Sequence, residues 1–489
     1  MSETNPILHL SEVLHLGMID EDSFDQFQSE KETYFRKYHE LFWDTPAYKS
    51  KRMHFRGEGA NEWVEPRTTK GNNIKNLQAF LQDHGFMPGA RLDGVFGYWT
   101  LASLRLFQEY IRTIEGLGVE ETGMPDGRVW KNTHKHMLRW RNNKLYSSWG
   151  PNEVNKDKPS EFKWTKPSKE YELWMKVLNK SKERCQRVLE KGAAKDDLLL
   201  FQLQDLEQYD KATDSRKVSE WMYNPEEIHL IGVRRKQEQS SRVRGNDDLF
   251  VLLMNGMVFK FWGSTDPHPD KSKKQEPYLI EGQHKYKLAW HKVSNSQRIY
   301  KALRPYGPGV LVYRDWSSRD ALTEEDIRKG LSHNSSRPRD EKLDNPNTLI
   351  NIHWTFDGFT NWSAGCQVIS GRSYINNEGR LINCSTFSAA SYDTLSSVSK
   401  KGVRRNRGAY TFISDFILAY SSTNTDHVLY TLCNDEVINH FSDASLQSLL
   451  AFQSLDIRDQ FVAADDRGLL AGFISQMRKS KNVKKDPKA

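Results

Sequence analysis

The chain is 489 residues long, with 71 Lys and Arg against 64 Asp and Glu for a formal charge of +7, 37% apolar and 28% charged residues, and 14 Trp, 19 Tyr and 23 Phe. That length suits about three domains, and the apolar and aromatic content excludes wholesale disorder. Basic residues are dispersed among acidic ones, which argues against nucleic acid as a partner; no run approaches the roughly 18 apolar residues of a membrane span, and residues 1–12 lack the basic-then-apolar layout of a Sec signal peptide.

Residues 1–65 carry apolar positions at helical spacing (Leu8, Leu10, Val13, Leu14, then Phe24, Phe27, Tyr34, Phe35, Tyr38, Leu41, Phe42) broken at Asp44-Thr45-Pro46, which predicts a helical lead-in. A polar, glycine-containing boundary follows at 67–73. Ile74, Leu77, Phe80 and Leu81 predict a helix, Gly85, Pro88 and Gly89 a turn, and Leu101, Leu104, Phe107, Tyr110 and Ile111 a second helix. Between these helices stands Asp93-Gly94 followed by Thr100, and Asp126-Gly127 followed by Thr133 repeats the pattern. The glycines permit tight positive-φ turns, and each Thr is expected to cap the next helix. The order Leu77-Gln78, Gly85, Asp93-Gly94-x-Phe96-Gly97-x-x-Thr100, Phe107-Gln108 resembles the peptidoglycan-binding domain family of small three-helix modules over about 65 residues. The resemblance implies a wall-binding module at residues 70–145.

Residues 146–225 read as a helical connector, rich in Lys, Pro and Ser at 156–168 and then periodic (Leu173, Trp174, Val177, Leu178, Val188, Leu189, 198–203, Leu206), with its charges on a solvated face. From 226 the texture changes to short β-rich runs at 228–233, 249–254, 257–262, 285–290, 310–313 and 348–353, and Asn255-Gly256 predicts a type I′ hairpin. An antiparallel sheet or barrel is expected. Residues 371–407 read as an irregular insertion, 412–420 as a helix and 428–432 as a last strand. The tail, 436–489, pairs an amphipathic stretch (Leu446, Leu449, Leu450, Phe452) with a solvated basic end. The fold class expected is a multidomain α and β chain: small helical module, helical connector, mainly β domain at 226–435, helical tail.

Four cysteines, Cys185, Cys366, Cys384 and Cys433, are too few and too scattered for a disulfide framework or a paired zinc site. Cys185, in a helical stretch, fits a small buried hydrophobe. His353 ends a strand-like run, sharing a face with Leu349 and Asn351, and Cys366 follows a Ser363-Ala364-Gly365 turn. A thiol attacks carbonyls as a thiolate, so it needs a base and backbone N–H groups for the oxyanion. The segment supplies both, and fits equally well a core histidine beside an inert cysteine. Metal chemistry is disfavoured, since the histidines lack ligand spacing near acidic partners and His134 and His136 lie in the 70–145 module.

The same run resembles the signature of the L,D-transpeptidases, in which a strand-end histidine precedes a Ser/Thr-His-Gly-Cys turn, and is closer to a divergent branch reading Ser-x-Gly-Cys-Gln. By this resemblance Cys366 is the nucleophile and His353 the base. Gly365, with Ser363 and Gln367, forms the oxyanion and positioning turn, and Tyr286, His291, Arg304 and Trp354 line a substrate groove. Fragments at 246–248, 264–267, 282–291 and 302–305 extend the likeness over about 226–435. Departures are Ala364 at the motif histidine, a short His-to-Cys loop and Gln367 after the cysteine. The resemblance implies a peptidoglycan-modifying cysteine enzyme, exchanging stem-peptide amides as a transpeptidase or cleaving them as an L,D-carboxypeptidase, without cofactor or metal. Its partners would be stem peptides and glycan. A bacterial protein acting on a wall without a Sec signal implies export to a target cell by a contractile injection apparatus such as type VI secretion, with an immunity protein, or release from a phage. The alternative is a non-catalytic wall-binding or phage structural protein with a degenerate domain.

Overall fold

The computed structural model describes residues 12–29, 55–56, 63–64, 66–89, 92–151, 166–192, 197–234, 248–267, 276–291, 300–314, 322–331, 345–354, 363–384, 408–421 and 425–434. The expectations for 1–11, 34–42, the loop 355–362, residues 385–407 and the tail 436–489 lie outside them. Where the lead-in is described it is only partly helical: β1 (Met18–Asp20) precedes α1 (Glu21–Ser29). The short strands β2 (Phe55–Arg56) and β3 (Trp63–Val64) form a separate pair, and β4 (Arg67–Thr69) runs parallel to β1. The Asp20 carboxylate accepts the Ile74 and Lys75 N–H groups at 2.8 and 2.9 Å. It thereby caps α2 (Asn73–Asp83) from 54 residues away, doing for the first-turn amides what a local cap residue otherwise does.

Helices α3 (Tyr98–Thr113), α4 (Gly118–Thr122) and α5 (Lys131–Asn142) complete this segment. Its two Asp-Gly loops are built alike. Gln78 Nε2 donates to Asp93 Oδ1, the Val95 carbonyl and Thr100 Oγ1, while its Oε1 accepts the Gly94 N–H at 2.9 Å. Gln108 Nε2 donates to the Arg128 carbonyl and Thr133 Oγ1, and its Oε1 accepts the Gly127 N–H at 2.9 Å. The expected Thr caps are corrected here: the N-caps are Gly97 and Trp130, and neither makes a side-chain cap bond. Each Thr sits in the first helical turn, where its hydroxyl accepts from the bracing Gln.

The connector contributes α6 (Lys169–Lys191), α7 (Asp197–Gln208) and the two-residue strand β5 (Ser215–Arg216). Next come β6 (His229–Arg234), β7 (Asp248–Met254), β8 (Met257–Ser264), β9 (Pro277–Leu279), β10 (Gly282–His291), β11 (Tyr300–Pro305) and β12 (Val312–Arg314), then α8 (Glu324–Arg328). The last elements are β13 (Ile352–Trp354), β14 (Gln367–Ile375), β15 (Leu381–Asn383), α9 (Gly408–Tyr420) and β16 (Val428–Asn434). Among the described residues eight strands close in the order β10, β11, β13, β14, β8, β7, β6, β16 and back to β10, with β5 and β15 as extra strands. Strands β9 and β12 pair separately. The fold is α+β with a mainly β domain. The barrel is mixed rather than antiparallel, because β13–β14 and β6–β16 are parallel; residues 355–366 between β13 and β14 are long enough for the crossover that a parallel join demands.

Asn255 and Gly256 have φ of 51° and 76°, the two positive values a type I′ turn needs, and join β7 to β8. In β7, Phe250, Leu252 and Met254 enter one apolar core while Leu249, Val251 and Leu253 enter another. The second is formed with α6 and α7 (Trp174, Leu178, Cys185, Leu206), so the run is apolar throughout because both its faces are covered. The first core is shared with α9 and the helices of the N-terminal segment. Trp99 Nε1 donates to the Ala419 carbonyl, and Phe412 stacks on Tyr374 at 4.1 Å. Residues 371–383, read as irregular from their Ser, Arg, Asn and Gly content, instead continue β14 and turn back into β15, with Tyr374 opposite Ile382.

Candidate active site

In the parallel pair β13–β14, Ile352 stands opposite Gln367, His353 opposite Val368 and Trp354 opposite Ile369. Ile352, Trp354 and Ile369 belong to the core shared with α9, so alternation turns His353 and Asn351 to the other face, together with Cys366 and Val368. His353 and Cys366 are therefore on one face of neighbouring strands. Gln367 N–H donates to the Asn351 carbonyl at 2.8 Å, which carries the register back and sets Asn351 beside Cys366. The four cysteines are all free thiols, and Cys366 alone is not buried. Cys185, pushed up to about 12 by burial, is inert as a nucleophile at neutral pH.

His353 Nδ1 lies 2.7 Å from the Trp354 carbonyl oxygen. A carbonyl only accepts, so Nδ1 carries the proton and Nε2 holds the basic lone pair. The Cys366 thiol donates to the Leu349 carbonyl at 3.2 Å, and its sulfur accepts the Asn351 N–H at 3.5 Å, with Asn351 Nδ2 at 4.0 Å. Alternation puts Asn351 on this face, and its position two residues before His353 is the one signal in the sequence that marks it. Gly365 has φ +127°, and a Cβ there would stand 2.5 Å from Pro277 Cγ and 3.0 Å from its carbonyl oxygen. The turn before Cys366 therefore requires glycine twice over, for conformation and for space. Ser363 is buried and Ala364 exposed.

Gln367 is fully buried and turned into the protein. Its Nε2 donates to the Thr265 carbonyl at 3.0 Å, and its Oε1 accepts from the Tyr430 hydroxyl at 2.6 Å. It braces the turn, and a substrate-facing role is excluded by those bonds. Thr265 in turn donates its N–H and hydroxyl to Asp248 Oδ2 at 2.6 and 2.7 Å, and Arg234 reaches Thr265 Oγ1 at 3.1 Å and Asp266 Oδ1 at 3.0 Å. Asp248 and the neighbouring pair Thr265 and Asp266, 17 residues on, thus meet beneath the Cys366 turn, together with Arg234 and Tyr430, which the sequence did not single out.

The four expected groove residues separate. Tyr286 is buried in the core and donates its hydroxyl to the Ile350 carbonyl at 3.1 Å. Trp354 is in the same core, so neither side chain presents itself to the Cys366 face. Burial of their apolar rings overrides the expected contact with substrate. Arg304, half-buried, is opposite Lys287 on β10 and one residue past the Leu303–Ile352 pair, which puts it on the Asn351 face. His291 ends β10, and its side chain lies outside the described residues.

Among the described residues no helix is long and apolar enough to cross a membrane. The arrangement defines a class by its chemistry: a thiol at the rim of a mixed β barrel, with a tautomer-fixed imidazole on the adjacent strand. Comparisons of the chain with protein-family models, curated proteins and solved structures found no match.

Proposed function

We propose that the chain is a peptidoglycan-directed cysteine enzyme of the L,D-transpeptidase type. The 70–145 segment would serve as a wall-binding module and the barrel as the catalytic domain. The observation that carries the proposal is the placement of His353 and Cys366 on one face of adjacent parallel strands, with the imidazole held through Nδ1. With strands about 4.8 Å apart and a rise of about 3.3 Å per residue, their Cα atoms are about 8 Å apart. A turn of the imidazole or one bridging water spans the remaining gap for proton transfer.

In the reaction, His353 Nε2 takes the thiol proton and the thiolate adds to the stem-peptide carbonyl. The tetrahedral oxyanion forms beside the Gly365–Cys366 turn, and collapse breaks the C–N bond as His353 returns the proton to the departing amine. The Cys366 thioester is then opened by an acceptor amine, giving exchange, or by water, giving hydrolysis. Such an enzyme acts in the wall, and an exported antibacterial or phage-associated role with an immunity partner suits it.

Muropeptide analysis of sacculi incubated with wild-type and Cys366→Ala protein tests the proposal: new or shortened stem peptides with the wild type only support it. Identical profiles would favour the second reading, a wall-binding protein with a degenerate domain, to which the exposed methyl of Ala364 lends weight because it brings no polar group to the turn.

A further inference from the structure

We infer that Asn351 is a catalytic residue of this site, the group that receives the negative charge of Cys366 when the thiol is deprotonated. The inference rests on the proposed function only in taking Cys366 as the nucleophile. In the resting arrangement the thiol proton points at the Leu349 carbonyl, 3.2 Å away, a bond that only the neutral thiol can make. Once His353 removes that proton, the carbonyl dipole opposes the charge, and the thiolate needs donors in the carbonyl's place.

Asn351 supplies two. Its main-chain N–H already lies 3.5 Å from Sγ, and its side-chain Nδ2 lies 4.0 Å away. The same Nδ2 donates to the Leu349 carbonyl at 3.1 Å. The amide therefore sits between the oxygen that holds the proton at rest and the sulfur that carries the charge afterwards, with one N–H for each. Asn351 is 2% exposed, so its amide acts away from competing water. It is held from both sides: its carbonyl accepts the Gln367 N–H at 2.8 Å, and the preceding Ile350 carbonyl accepts the Tyr286 hydroxyl at 3.1 Å. A fixed donor at the point where charge develops is what favours the charged form without reorganisation.

The test is the pH dependence of Cys366 alkylation by iodoacetamide on the full chain, followed by mass spectrometry of the Cys366 peptide, for the wild type, Asn351→Ala and Asn351→Asp. A hydrogen bond to a charged group is strong enough to move the midpoint of the thiolate profile by about one pH unit. Asn351→Ala should therefore alkylate about tenfold more slowly below both midpoints. Asn351→Asp, which keeps the shape and adds a negative charge, should shift the midpoint up further. If Asn351→Ala does not fold, Asn351→Leu, which keeps the volume and brings neither donor nor charge, decides in its place. A midpoint above that of the wild type supports the inference, and a midpoint at or below it overturns it. The readout needs no wall substrate, so a protein inactive on sacculi whose Asn351 variants still shift the profile would sink the proposed function and leave this inference standing.

Discussion

Asp415 on α9 accepts Arg105 Nη2 at 2.6 Å and Lys301 Nζ at 2.8 Å on the same oxygen, and all three side chains are at most 3% exposed. Arg105 comes from α3 of the N-terminal segment and Lys301 from β11 of the barrel. Asp415→Ala leaves two cations buried together with their shared anion gone. Removing one partner from a buried ion pair costs about 3–5 kcal/mol. At about 2–4 °C per kcal/mol for a unit of barrel size, the melting temperature should fall by around 10 °C. Circular dichroism melts read this directly. The triple variant Arg105→Met, Lys301→Met, Asp415→Leu removes the charges as a set and should recover most of the loss, because well-packed apolar side chains replace a buried ion cluster at little cost. An Asp415→Ala protein melting within about 2 °C of the wild type would refute the reasoning, as would a triple variant no more stable than the single one.

Gly365→Ala drives a methyl into Pro277 at a backbone conformation that L side chains avoid. It should abolish muropeptide product while lowering the melting temperature by only a few degrees, since the strain is local. Gln78→Ala and Gln108→Ala each remove a buried brace from an Asp-Gly loop, and each should cost about 2 kcal/mol by urea denaturation; unequal losses would contradict the like construction of the two loops. His427 sits between Asp426 and Glu227, with Nδ1 2.6 Å from Asp426 Oδ1 and Nε2 3.2 Å from Glu227 Oε2. Burial pushes its pKa down, but the bonds to the two carboxylates outweigh this and raise it above the usual histidine value. A raised histidine contributes stability that is complete below its unfolded pKa and lost as pH rises through the folded one. The bond to His427 chiefly lowers Glu227, whose contribution is lost as pH falls through its own folded pKa. Melting temperature should therefore be highest between about pH 5 and 6.5, and His427→Gln should flatten the alkaline side of that profile.

Much of the barrel is legible in the sequence because strand runs and turn residues are local signals. The Asn255-Gly256 hairpin, the strands from 229 to 264 and the helix read at 412–420, which the structure begins at Gly408, all follow from neighbours in the chain. Alternation puts His353 on the face of Leu349 and Asn351, but the parallel seam that brings Cys366 to that face is a tertiary feature. Tertiary choices were not legible. Nothing near Lys301 or Arg105 in the sequence shows that Asp415 will meet them. The bonds of Gln367 to Thr265 and Tyr430 span 102 and 63 residues, so no neighbour in the chain shows that its side chain turns inward. Tyr286 likewise follows an alternation whose inward face only barrel closure defines. The connector reads as an apolar stripe beside a solvated charged face, and periodicity does not say that β6, β7 and β8 are what the stripe covers.

The parallel seam between β13 and β14 is what makes a site of these residues. In an antiparallel seam the start of one strand lies against the end of the other, and Cys366, just before β14, would meet the residues after Trp354. With both strands running the same way, their starts share one rim. The residues entering β13 (Leu349, Ile350, Asn351) therefore stand beside those entering β14 (Gly365, Cys366), before regular strand pairing consumes their polar groups. That is why a carbonyl, a main-chain N–H and a side-chain amide are all present at one sulfur. His353, two residues further along β13, is carried over the same face by the pleat, and its own strand supplies the Trp354 carbonyl that fixes its proton. The chain between Trp354 and Ser363 has to return from the end of β13 to the start of β14, so a deletion that shortened it enough to forbid the crossover would dismantle the site even with every chemical group retained.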